Sequence, residues 1–147
     1  MLWTDGKFAR GVEMQALYAL LCTDTEPKGK SLTAIRGMFN KIVAEKIPYT
    51  APDFYVVFQM RLIPSEWNEK DVYLDIRLVN FDGEDVQPKT HHKLMWDKEV
   101  VKPGRPKMYF AVVLMKNIKF EKYGDYEFSL TVMDKPLATI PIYVDPE

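Results

Sequence analysis

The chain has 147 residues, 47% apolar and 28% charged, with a formal net charge of −1 and a pI near 6.1. That length suits one domain over residues 1–147, and it can bury roughly 70% of its unfolded surface without a disulfide or a metal. The near-neutral balance argues against a general nucleic-acid or anionic-membrane binder, which needs a basic surplus.

The first residues, MLWTDGKFARGVE, place no continuous apolar core behind a basic start, so they do not read as a signal peptide. Residues 1–12 are expected to be a flexible N-terminus. No stretch approaches the ~20 apolar residues of a membrane span. Cys22 is the single cysteine, so no intramolecular disulfide can form; a reducing, cytoplasmic setting is expected. EMQALYALLC reads either as a helix, favoured by Ala and Leu, or as a buried strand; no cap decides it. KGKSLTAIRGMF reads as a turn at Lys28-Gly29-Lys30 and then a strand, with Gly37 at a bulge or bend. If both runs are strands, they are expected to form an antiparallel hairpin.

From Pro52 onward the dominant period is two. In PDFYVVFQMRLIP, Phe54, Val56, Phe58, Met60 and Leu62 share one face. Pro64 and SEWNEK read as a hairpin-type loop into DVYLDIRLVN, where Val72, Leu74, Ile76 and Leu78 share the inner face. Asp82-Gly83 signals a turn, with a short strand expected near Asp85 to Pro88. The segment from His91 to Pro106 reads as a loop with one short strand near Lys93 to Trp96. MYFAVVLM, Met108 to Met115, is apolar on both faces, which predicts a fully buried central strand. EFSLTVM alternates again, with Tyr126, Phe128, Leu130 and Val132 inward. LATIPIYV puts Ile140, Ile142 and Val144 on one face; Pro141 requires an edge, or an orientation in which its missing N–H faces away from the ladder.

KYGDYEF, just before the late alternating strand, has the form of a tyrosine corner. Gly124 supplies the turn, Tyr126 points inward, and Phe128 follows two residues on. The spacing of about eight strands predicts an all-β, immunoglobulin-like antiparallel sandwich with Greek-key character.

YALLCTD, GKSLTAIRGMFNKI, FYVVFQMRL, LDIRLVNFDGE, GDYEFSLTV and LATIPIYV, in that order, resemble an uncharacterised prokaryotic family of small β-sandwich proteins, a domain of unknown function. The resemblance runs from about Met14 to Val144. It implies that ALYALLC is a strand, and it brings no catalytic residues. The chain departs from it between His91 and Pro106, which is longer and more basic.

Chemistry-bearing clusters are sparse. His91 and His92 are the only histidines, and neighbours in an extended segment point to opposite faces, so they do not converge on one metal. No cofactor motif is present. Asp82, Glu84 and Asp85 read as turn residues, and Glu66, Glu69 and Asp71 as another acidic loop. KEVVKPGRPK, with Lys98, Lys102, Arg105 and Lys107, reads as a solvated basic loop. Trp3, Trp67 and Trp96 sit in polar, loop-like contexts; with outward Tyr55 and Tyr73 they form the candidate contact surface. The expected function is a non-catalytic interaction module that binds another protein or itself as a homodimer. The alternative is a small-ligand or carbohydrate binder that uses the loop tryptophans.

Overall fold

A computed structural model describes residues 14–28, 31–62, 72–94 and 107–147. Among these there is no helix. The strands in chain order are β1 (Met14–Cys22), β2 (Asp24–Lys28), β3 (Ser31–Arg36), β4 (Lys41–Ala44), β5 (Tyr49–Thr50) and β6 (Phe54–Leu62). They continue as β7 (Val72–Asn80), β8 (Thr90–Leu94), β9 (Lys107–Met115), β10 (Lys119–Phe120), β11 (Gly124–Val132) and β12 (Lys135–Pro146). The residues expected at 1–12 to be flexible lie outside the described residues.

A three-stranded sheet has the order β1-β6-β9, and a five-stranded sheet that curls into a half-barrel has the order β4-β12-β11-β7-β8. β2 pairs with β3 as a hairpin, and β5 pairs with β10. All pairings are antiparallel except β12 with β4, which is parallel. The short β5–β10 pair prolongs the β6–β9 ladder: Tyr49 faces Phe120, Thr50 faces Lys119 and Phe54 faces Met115, with no residue gained or lost on either side.

The core follows from alternation. Val72, Leu74, Ile76 and Leu78 on β7, Tyr126, Phe128, Leu130 and Val132 on β11, and Ile140, Ile142 and Val144 on β12 are all buried. They meet Leu21, Phe54, Val56, Phe58 and Met60 from the three-stranded sheet in one cluster. Phe54 packs edge-on against both Phe39 and Phe128, at ring separations of 5.5 and 6.0 Å. Aromatic pairs favour this geometry because positive ring edges meet negative faces.

Several expectations need correction. The structure has twelve short strands among the described residues rather than about eight. β1 and β3 do not form a hairpin; β1 pairs with β6, and β3 pairs with β2, a strand hidden in the polar DTEPK. β6 and β7 lie in different sheets and do not pair with each other, so they are not the two arms of a hairpin. Asp85 makes only an isolated bridge to Val79, and the short strand expected near Lys93 begins at Thr90. β9 is not a buried central strand: among the described residues it pairs with β6 alone, and Met108 and Leu114 are 46% and 42% exposed.

Pro141 has a clear geometric account. The Tyr143 N–H donates to the Asn40 carbonyl at 2.8 Å, on the β4 side of β12. Alternate residues of a strand present their N–H to the same side. The missing N–H of Pro141 therefore falls on the side away from β11, just before the β4 pairing starts at Tyr143.

Candidate functional site: the β9 edge and outer face of the three-stranded sheet

The outer faces of the two sheets differ in chemistry. On the five-stranded sheet, β7 and β11 present Tyr73, Asp75, Arg77, Asp125, Glu127, Ser129 and Thr131 outward, opposite in phase to the buried rows. On the three-stranded sheet the outward rows are uncharged and mostly apolar around Tyr55 and Val57, and become polar at one end, where Gln59, Arg61 and Gln15 share the face. Tyr55 of β6 lies between Cys22 and Leu114, Val57 between Leu20 and Val112, and Gln59 between Tyr18 and Phe110. Val57 and Cys22 are fully buried on this outward side, and the neighbouring β2 of the hairpin lies against β6. Burial pushes the Cys22 thiol pKa up, which keeps it protonated. Toward β9 the face opens, leaving Phe110 and Val112 half-buried and Met108 and Leu114 exposed.

A groove of about 560 Å³ runs along this margin. Its walls are the edge of β9 from Tyr109 to Leu114, the edge of β8 from His92 to Leu94, and Pro27 of the hairpin. Consecutive residues line it on both strands, so it follows the backbone edges and not one face.

The polarity of the β9 edge follows from register. The Ala51 N–H donates to the Ile118 carbonyl at 2.9 Å in the unbroken register that β5–β10 shares with β6–β9. Opposed residues of an antiparallel ladder alternate between bonded and non-bonded pairs. Phe110, Val112 and Leu114 are thus bonded to β6, while the backbone N–H and C=O of Ala111 and Val113 point to the far side. No strand among the described residues pairs with β9 on that side.

The histidines divide as neighbours on a strand must. His91 faces outward, its Nδ1 2.5 Å from Asp75 Oδ1 and its ring stacked on Tyr73 at 4.8 Å. Lys89 Nζ lies 3.7 Å from the other oxygen of Asp75. His92 lines the groove, with Nε2 3.0 Å from Thr90 Oγ1. Burial, and secondarily the nearby His91, lower its pKa, so the neutral ring is favoured.

Of the expected contact residues, Trp3, Trp67 and Trp96 lie outside the described residues. Tyr55 and Tyr73 are on the outer faces of different sheets and do not form one surface. Tyr126 is buried; its hydroxyl donates to the Lys122 carbonyl at 2.7 Å, and its ring meets Phe120 edge-on at 4.9 Å. Gly124 has a φ of 138°, which a side chain rarely adopts, and Phe128 is fully buried. The acidic turn is organised by Asn80. Its Oδ1 accepts from the N–H groups of Asp82 and Glu84 at 2.9 and 3.0 Å, and its Nδ2 donates to Glu84 Oε1 at 3.1 Å. Asp85 accepts from Arg77 Nε at 3.0 Å. Glu66, Glu69, Asp71, Lys98, Lys102 and Arg105 lie outside the described residues. The sequence reading missed Met108, Phe110, Val112 and Leu114 as surface residues. The available signal was an uncharged run with lysine at both ends, Lys107 and Lys116.

The chain belongs to a family of unknown function, DUF6941, whose model matches residues 17–145. No curated protein matches it. Among solved structures it is similar to the alkylpurine DNA glycosylase AlkC of Pseudomonas fluorescens, bound to DNA containing an abasic site analog. That likeness has 8% identity and a TM-score of 0.49 over 94% of this chain. It is also similar to a β-glucosidase of Listeria innocua in complex with gluconolactone, at 7% identity and a TM-score of 0.42 over 87% of this chain. The chain spans 32% and 16% of those two chains, and at these values neither likeness bears on function. No helix among the described residues is long and apolar enough to cross a membrane.

Proposed function

We propose that this chain is an immunoglobulin-like, Greek-key sandwich that serves as a non-catalytic cytoplasmic module for binding another protein. The strand orders support the fold reading: β1-β6-β9 corresponds to A, B and E, and β12-β11-β7-β8 to G, F, C and C′. Tyr126 near the start of β11 then occupies the corner position of strand F. The observation that carries the functional reading is the run of uncharged, partly exposed side chains on the β9 side of the three-stranded sheet, Met108, Phe110, Val112 and Leu114, beside an open groove. Apolar surface gathered on one side marks an interaction site more than single exposed residues do. The free thiol of Cys22, buried and raised in pKa, is compatible with a reducing compartment.

Native mass spectrometry of untagged protein enriched from its own source tests this. The expected result is a mass above the bare 17.1 kDa chain that is lost in Leu114→Lys and kept in Glu127→Gln on the other sheet. A bare chain overturns it, and a complex indifferent to Leu114→Lys would put the contact on another surface. The groove volume falls within the ~300–1,000 Å³ of small-molecule sites, which favours a ligand-binding reading second. Absence of any tryptophan fluorescence change across a glycan and nucleotide panel would remove that reading.

A further inference from the structure

We propose that β9 takes an added β-strand from its partner, and that this strand is an uncharged, β-branched segment with acidic residues at both ends. The inference rests on the interaction reading above and names the partner's chemistry. Three observations carry it. First, the backbone groups of Ala111 and Val113 point away from β6, into the groove. Edge strands carrying such groups template pairing, and proteins usually blunt them with charge, proline or a bulge. From Met108 to Met115 β9 has no charge, no proline, no glycine and no register shift against β6. Second, the groove gives an added strand apolar contacts on both its faces. Side chains on one face would meet Leu94 and His92 of β8; those on the other would extend the row of Phe110, Val112 and Leu114. That demands apolar, β-branched residues throughout the added strand. Third, Lys107 and Lys116 bracket the edge. Antiparallel pairing of two copies centred on Ala111 would bring Lys107 of each within a residue of Lys116 of the other. Like charges so placed disfavour a pair, whereas acids at the ends of a partner strand complement them.

The probe is a capped synthetic peptide with a seven-residue Val/Thr alternation and two glutamates at each end, compared with the same core flanked by lysines. Amide hydrogen exchange of the full chain is followed by NMR. The glutamate peptide is expected to slow exchange at Ala111 and Val113 by at least ~tenfold while leaving Phe110 and Val112, already bonded to β6, unchanged. The lysine peptide should bind about tenfold more weakly, the effect of reversing charge at both ends. Val113→Pro removes an outward N–H, and Leu114→Lys places a charge beside the edge. Each should abolish the protection while thermal unfolding stays cooperative. Slow exchange at Ala111 and Val113 in the free chain would overturn the proposal, because the edge would already be covered. So would the absence of protection at millimolar peptide. If a native partner still binds Val113→Pro and Leu114→Lys, strand addition is refuted while the interaction reading survives on another surface. If no partner is found at all, the interaction reading itself fails.

Discussion

Replacing Tyr126 by phenylalanine isolates one hydroxyl. The ring is buried and meets Phe120 edge-on at 4.9 Å, and phenylalanine keeps that contact. What goes is the 2.7 Å hydrogen bond from the hydroxyl to the Lys122 carbonyl. A neutral bond of this kind contributes about 0.5–1.5 kcal/mol net. Lys122 is exposed, so its carbonyl can regain water, and no unpaired buried acceptor adds to the loss. The expected cost is about 1 kcal/mol, a drop of roughly 2–4 °C in Tm for a chain of this size. Tyr126→Ala removes the ring as well and should cost about 3–5 kcal/mol. Urea unfolding read by circular dichroism gives both values, with the midpoint moving and the slope unchanged. The reasoning fails if Tyr126→Phe matches the parent within error, or if it is as damaging as Tyr126→Ala.

Burial also raises the Tyr126 phenol pKa, so above the ordinary pKa near 10 the unfolded chain loses a proton that the folded chain keeps. Stability should therefore fall as pH rises past about 10, and Tyr126→Phe should flatten that limb in urea midpoints; Tyr18, also raised by burial, will leave a residue of it. His92 has the opposite sign: its pKa is lowered, so its contribution is present above the ordinary value near 6.5 and is lost as pH falls through the folded value. His92→Gln should reduce the loss of stability as pH falls below the ordinary value near 6.5, checked by unfolding midpoints on the acid side. Gly37 has a φ of +68°, and a Cβ there would lie within clashing distance of the Thr23 hydroxyl, whereas Gly83, at +80°, has open space around it. Gly37→Ala should thus cost more than Gly83→Ala, which carries only the left-handed strain of about 1–2 kcal/mol; equal losses in thermal unfolding would count against this.

How much of this was legible in the sequence depends on what side-chain period reports. Period two tells which face of a strand is turned inward, and it read the buried rows of β7, β11 and β12, and Phe54 to Met60 on β6; the burial of outward Val57 it did not foresee. It says nothing about the two sides of the ladder. β9 is apolar on both faces because its outward row joins the apolar part of its sheet's outer face, and that pattern looks the same in a central strand and in this edge strand. The β2 strand was hidden because DTEPK is polar and holds Pro27; its pairing with β3 is a property of the hairpin, not of the run itself. That β6 and β7 belong to different sheets was equally invisible, since turn-forming residues between two strands in the sequence do not say whether those strands pair. Tyr126 was found because the turn, ring and strand phase lie within seven residues. The groove was not, because its walls, Pro27, β8 and β9, are far apart in the chain.

The order of the five-stranded sheet has a consequence for how the molecule is made. β4, β7 and β8 leave the ribosome before β11 and β12, yet β11 lies between β7 and β12, and β12 lies between β11 and β4. The sheet therefore cannot close while its middle is still being synthesised. Until then the apolar rows of β7 and the three-stranded sheet must wait without their covering layer, which is when such a chain is most exposed to aggregation. Folding of this half is a late event of high sequence separation, slow by the standards of local pairing.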